Sequence, residues 1–127
     1  MRTPIDHQDL LTDQVIHCAF TVHNTLGAGF LEQVYENALA HELRKSGLTV
    51  QQQQSVEIRY DTIIAGSFAA DLIVESRLAL ELKAVRTLDN GHIAQVLNYL
   101  RASGLAICLL LNFGAPRLEI RRLCHAA

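Results

Sequence analysis

The residues with the clearest chemical potential are Asp71, Glu81 and Lys83. In Leu78-Ala79-Leu80-Glu81-Leu82-Lys83 the side chains of a strand alternate, so three leucines share one face and Ala79, Glu81 and Lys83 share the other. In the segment before it, Ala70, Leu72 and Val74 form one face while Asp71 and Ile73 form the other. A pairing that joins the two leucine-rich faces must also join Asp71 to Glu81 and Lys83, because a one-residue slip turns a whole strand over. With Val74 opposite Leu78, the loop is Glu75-Ser76-Arg77 and Asp71 stands opposite Glu81. Two carboxylates converging beside a lysine suit a hard divalent cation. Mg²⁺ takes oxygen ligands, keeps several waters and is held by one or two carboxylates plus substrate phosphate. The lysine could orient or help deprotonate a metal-bound water, or stabilise charge developing on a phosphate. The plainer alternative is an exposed strand face with an ordinary ion pair, which contributes little.

These residues need a scaffold, and the periodicity supplies one. Leu11, Val15, Cys18, Ala19, Val22 and Leu26 recur every three or four residues and predict a helix that Gly27-Ala28-Gly29 stops. Leu31, Val34, Tyr35, Ala38, Leu39 and Leu43 predict a second helix, ended by Ser46-Gly47. From Leu48 the period falls to two, through Val50, Gln52, Gln54, Val56, Ile58 and Tyr60. Asp61-Thr62 turns the chain into a strand from Ile63, which Gly66-Ser67 interrupts and Phe68 to Glu75 resumes. Leu78 to Val85 is the next strand, and Asp89-Asn90-Gly91 leads into a helix from about His92 to Ala102. The apolar run Leu105 to Leu111 suits a strand buried on both faces, and Leu118, Ile120 and Arg122 suggest a last strand. The order α-α-β-β-β-α-β-β is a mixed sheet flanked by helices.

Composition narrows the field. With 127 residues the chain fits one domain, 1–127; half the residues are hydrophobic and 19% are charged, which excludes disorder. Eleven Lys and Arg against thirteen Asp and Glu leave a net charge of −2, so the chain does not bind nucleic acid by overall charge. Leu105 to Leu111 is the longest apolar run and is far short of a membrane span, and Met1 to Asp6 has no apolar leader core. Cys18, Cys108 and Cys124 are odd in number and lack metal spacing, which together with the missing leader suggests a reduced, cytoplasmic protein. His7, His17, His23, His41, His92 and His125 have no zinc-ligand spacing, and no phosphate-binding Gly-rich loop or serine triad is present. Cations are scattered; Arg86 and Arg101 both follow Lys83 in sequence and could meet phosphates, or simply be surface charge.

Asp71, with Glu81-x-Lys83 ten residues on, resembles the core motif of the PD-(D/E)XK nuclease superfamily, with Ala70 in place of the loosely kept proline. Gln95-Val96-Leu97-Asn98-Tyr99 is similar to the Gln-x-x-x-Tyr helix of RecB-type and Cas4-type nucleases, and its spacing puts Gln95 and Tyr99 on one helical face. Gly29-Phe30-Leu31-Glu32-Gln33-Val34-Tyr35 resembles the Gly-x-x-Glu-x-x-Tyr signature of the GxxExxY proteins, a small bacterial branch, and Gly104 to Arg122 also looks like that branch. The resemblance runs from about Leu10 to Leu123. It implies an α/β fold of the restriction-endonuclease-like kind, with a central mixed β-sheet flanked by helices. It implies Asp71 and Glu81 as ligands of Mg²⁺ or Mn²⁺, Lys83 as the catalytic lysine and Glu32 as an extra acid facing the metal from the second helix. It implies Gln95 and Tyr99 as substrate-holding residues. The residues alone leave plainer roles open: a solvated helix glutamate for Glu32, and packing aromatics with surface hydroxyls for Tyr35 and Tyr99. The expected function is a metal-dependent nuclease acting on DNA or RNA, and the other reading is a nucleic-acid-binding or protein-interaction module that keeps the fold without the chemistry. A chain this short has few insertions with which to grip a substrate, so a homodimer or a partner subunit is expected.

Overall fold

The computed structural model describes residues 7–124; Met1 to Asp6 and His125 to Ala127 lie outside the described residues. Helices α1 (His7–Leu26) and α2 (Glu32–Lys45) come first, followed by strands β1 (Val50–Tyr60), β2 (Ile63–Val74) and β3 (Leu78–Lys83). Helix α3 (Asn90–Ser103) crosses to β4 (Ile107–Asn112), and β5 (Glu119–Cys124) closes the order. The element order is the one the periodicity predicts. The five strands lie in the sheet in chain order, antiparallel except for β3 and β4, which are parallel and need the α3 crossover.

Side-chain alternation splits the core in two. Leu72, Val74, Leu78, Leu80, Leu109 and Leu111 face α1 and α2, while Ala79, Cys108 and Leu110 pack against Val96 and Leu100 of α3. All of β4 is buried, as its unbroken apolar run requires. No helix among the described residues is long and apolar enough to cross a membrane. Cys18, Cys108 and Cys124 are free thiols.

Two departures from the sequence reading matter for the site. Gly66-Ser67 does not interrupt β2; the strand is continuous, and the register shifts near Ile58 and Arg59, where Ala65 is an extra residue. Strand β3 stops at Lys83 rather than Val85, because the Val85 N–H donates to the Asn112 side-chain oxygen (3.0 Å) and not to a neighbouring strand.

Tyr35 is fully buried, so its hydroxyl is not at the surface. That hydroxyl donates to the Gly27 carbonyl (2.6 Å) and accepts from the Phe30 N–H (3.1 Å), which staples the α1–α2 connection. Its ring stacks on Phe113 at 4.8 Å, and Gly29 in the connection has φ of +117°, open to glycine and costly for other residues. Phe113 in turn donates its N–H to the Lys83 carbonyl (2.8 Å). The fully buried Asn112 accepts from Val85 and Gly114 N–H groups (3.0 Å each) and donates to Glu119, which also accepts from Leu88 N–H. The chain leaving Lys83 is thus clamped to the end of β4.

The clamp leaves no room at Gly114. A Cβ there would stand 2.5 Å from backbone atoms of Ala84 and Val85, contacts that only a backbone shift relieves. Gly114→Ala should therefore destabilise by about 2–3 kcal/mol, the range of overpacked sites, as read by urea denaturation. An unchanged midpoint would show that the segment after Lys83 is not held as described.

Candidate active site

The site lies where β2 leaves β3. Val74 pairs with Leu78, Ile73 with Ala79 and Leu72 with Leu80, the register that the three-residue loop 75–77 was expected to set. Glu75 and Ser76 both take left-handed backbone in that loop, and the Glu75 carboxylate accepts from the Thr49 N–H and hydroxyl, which holds it well below the usual carboxylate range. One step beyond Leu72 the backbones part. The Asp71 carboxylate then accepts the Leu82 N–H through Oδ2 (2.8 Å), satisfying a donor that a paired strand would otherwise have met.

The opposite strand is distorted at the same level. Gln53, in register with Asp71, has φ of +53° and is missing from the ladder between Gln52–Leu72 and Gln54–Ala70. This breaks the alternation, so the side chains of Gln52 and Gln53 both reach Glu36 of α2. The alternation of β2 breaks too. Phe68 stacks on Tyr99 of α3 (4.0 Å between centroids) while Leu72 packs toward α1 and α2. Ala70, expected on the Leu72 face, instead lines a small cavity with Glu81 and Tyr99. Asp71 sits at this change of face, with the Gln53 amide on its Oδ1 (3.2 Å).

Glu81 is mostly shielded among Ala79, Val96, Tyr99 and Cys108, beside Asp71. Burial first, and then the Asp71 charge, push its carboxyl up to about 9. The shift favours the neutral form of the Glu81 carboxyl beside Asp71. Lys83, on the same strand two residues on, opposes this shift but does not cancel it. A carboxyl pair in which one member resists ionisation beside the other fits a divalent cation, which favours the doubly charged form, and two carboxylates match an ion that retains waters. Among the described residues no three His, Cys, Asp or Glu side chains form a metal-binding group, and of the expected Asp71, Glu81 and Glu32 the structure brings the first two together. Glu32 is exposed in the first turn of α2, whereas Glu36, one turn further and 5% exposed, is the helix acid linked to Asp71. A helical pattern could have flagged Glu36, since it falls beside Tyr35 on the inner face.

Gln95 donates to the Tyr99 hydroxyl (3.0 Å), so these two meet as their spacing predicts, and Tyr99 lines the cavity with Glu81. Asp89 caps α3 by accepting from the His92 N–H (2.9 Å), and the Lys83 charge also bears on it. Arg86 and Arg101 are exposed and form no ion pair with the carboxylates. The Cys108 thiol is pushed far up by burial and then by the Glu81 charge, which leaves it without nucleophilic character.

A family model described as the PD-(D/E)XK nuclease superfamily matches residues 9–123. Among solved structures, the crystal structure of SSO0001 resembles this one with a TM-score of 0.54 and 16% sequence identity. The similarity covers 95% of this chain and 58% of that one, and at this identity it speaks for the fold. No curated protein matches the chain.

The shift of Glu81 makes stability fall as pH rises. Its folded value, about 9, lies above the unfolded 4.5, so the folded protein binds the extra proton between these values and loses stability as pH climbs through them. In metal-free protein, Glu81→Gln should match wild type near pH 4, where the group is protonated in both states. Its advantage should grow to on the order of 3 kcal/mol at pH 7 and level off above pH 9. Denaturation across this range checks it; a constant difference between the two proteins would mean that Glu81 is not held protonated.

Proposed function

The chain belongs to the PD-(D/E)XK nuclease superfamily, and from that premise we propose that it is a Mg²⁺- or Mn²⁺-dependent nuclease hydrolysing phosphodiester bonds in DNA or RNA. The observation that carries this reading is the Asp71–Glu81 carboxyl pair, seated where β2 parts from β3, with Lys83 on the same strand as Glu81. Asp71 and Glu81 would hold the ion once Glu81 has given up its proton. The bound cation would supply Lewis-acid polarisation of a phosphoryl oxygen and a more acidic water. The Lys83 ammonium would stabilise charge developing on the phosphate, or orient the attacking water. Gln95 fixes the Tyr99 hydroxyl, and together they would position the substrate backbone. Arg86 and Arg101, exposed after β3 and in the last turn of α3, would meet phosphates further along the strand.

Within the superfamily we place the chain in the Gly-x-x-Glu-x-x-Tyr branch. Two signature positions have clear physical work in support of this: Gly29 accepts the positive φ and Tyr35 staples the loop. Glu32 remains the signature residue whose role is open to the substrate complex. Given how little chain lies outside the sheet and its helices, a second copy or a partner subunit would complete the grip on nucleic acid.

The test is a cleavage screen over single-stranded, double-stranded and branched DNA and RNA with Mg²⁺ or Mn²⁺. Cleavage should fall at least about 100-fold in Lys83→Ala with the fold retained, the scale of losing one transition-state donor. Calorimetry should show Mn²⁺ binding tightening from pH 6 to pH 9 with proton release, because the ion displaces the Glu81 proton. Nucleic-acid binding without cleavage would move the reading to a non-catalytic module. No Mn²⁺ binding, with or without oligonucleotide, would end the metal-dependent reading.

A further inference from the structure

We propose that Glu36 is a positioning residue for the carboxylate pair, holding Asp71 in its orientation toward Glu81 through the Gln53 amide. The inference rests on the nuclease reading for its consequence and on the side-chain network for its substance. Glu36 is a buried acid on a helix, 5% exposed, and both its oxygens are used: Oε1 accepts from Gln53 and Oε2 from Gln52 (2.9 Å). A buried carboxylate is retained only where its hydrogen bonds are met, and here two consecutive glutamines meet them. Consecutive strand residues point to opposite faces, so this arrangement exists only because Gln53 takes left-handed backbone. That conformation is costly for a residue with a Cβ, which marks a position whose side chain compensates for the strain.

The Gln53 amide then completes a two-point hold. Its Nε2 donates to Glu36 and to Asp71 Oδ1 (3.2 Å), while Asp71 Oδ2 accepts from Leu82 N–H (2.8 Å). With both oxygens fixed from two different strands, the Asp71 carboxyl has one orientation. Glu36 fixes the amide: an acceptor at that end obliges Gln53 to present its NH₂ group to both carboxylates, and not its carbonyl. Removing Glu36 would take away one of the two acceptors that hold the amide and free it to swing away from Asp71.

The experiment compares Gln53→Gly, Glu36→Gln, the double variant and Gln52→Ala. Glycine keeps the left-handed backbone and removes only the amide; Gln52→Ala removes the other donor to Glu36 without touching Asp71. Crystal structures of metal-free wild type and Gln53→Gly should show one Asp71 rotamer in the first and several in the second. Mn²⁺ affinity should weaken about tenfold in Gln53→Gly and in Glu36→Gln, as for other residues that orient a metal ligand. The double variant should be no weaker than either single, and Gln52→Ala should stay within about twofold of wild type. In cleavage, kcat should fall with KM unchanged. An Asp71 rotamer unmoved by Gln53→Gly, or Gln52→Ala as damaging as Glu36→Gln, overturns the proposal. Absence of Mn²⁺ binding by wild type would instead strike the nuclease reading, and the rotamer comparison would still decide the role of Glu36 and Gln53.

Discussion

One hydrogen bond organises the molecule around its carboxyl pair: the Leu82 N–H to the Asp71 carboxylate, 2.8 Å. Up to Leu72–Leu80, β2 and β3 are ordinary antiparallel neighbours, and beyond it β3 belongs to β4. A backbone donor stranded at such a fork must find an acceptor or pay for its desolvation. Asp71 provides that acceptor with a charged side chain, and in doing so is brought beside Glu81. The same contact therefore ends the strand pairing and assembles the carboxyl pair.

The supports lie on the far side of the fork. Tyr35 stacks on Phe113, Phe113 binds the Lys83 carbonyl, and Asn112 gathers the backbone of the segment that follows. The α1–α2 connection and the end of β4 are remote in sequence, yet they meet at the strand that carries Glu81 and Lys83. Rigid elements hold Glu81 and Lys83 in place, while Gln95, Arg86 and Arg101 remain at the surface. His23 belongs to the same support, with its Nε2 against the Ala115 carbonyl at 3.0 Å.

Much of this was legible in the sequence, because it follows from local patterns. Period-two alternation and a three-residue loop determine the Val74–Leu78 register, and glycines mark the ends of α1 and α3. What was not legible depends on departures from those patterns. The left-handed backbone at Gln53 falls within the run Gln51 to Gln54, which reads equally as an exposed edge or a bulge, and no propensity singles out Gln53. Uniform alternation consequently placed Ala70 with Leu72, and the signature directed attention to Glu32 while the buried acid is Glu36. Likewise Val85 looks like strand and is loop, since the competing acceptor, Asn112, is far away in the chain.

Beyond Asp71 the β1–β2 ladder continues without β3 beside it, and its tip exposes Ile58, Tyr60, Ile63 and Ile64. Two-stranded ribbons are weak on their own, whereas β3 and β4 lie at the centre of the sheet with neighbours on both edges. Amide hydrogens of the ribbon tip will exchange with solvent through local fraying, and those of β3 and β4 only through opening of the whole fold. The border between these two regimes of protection passes between the two carboxyls: Glu81 rides on the slow side, and Asp71 stands at the root of the fast one.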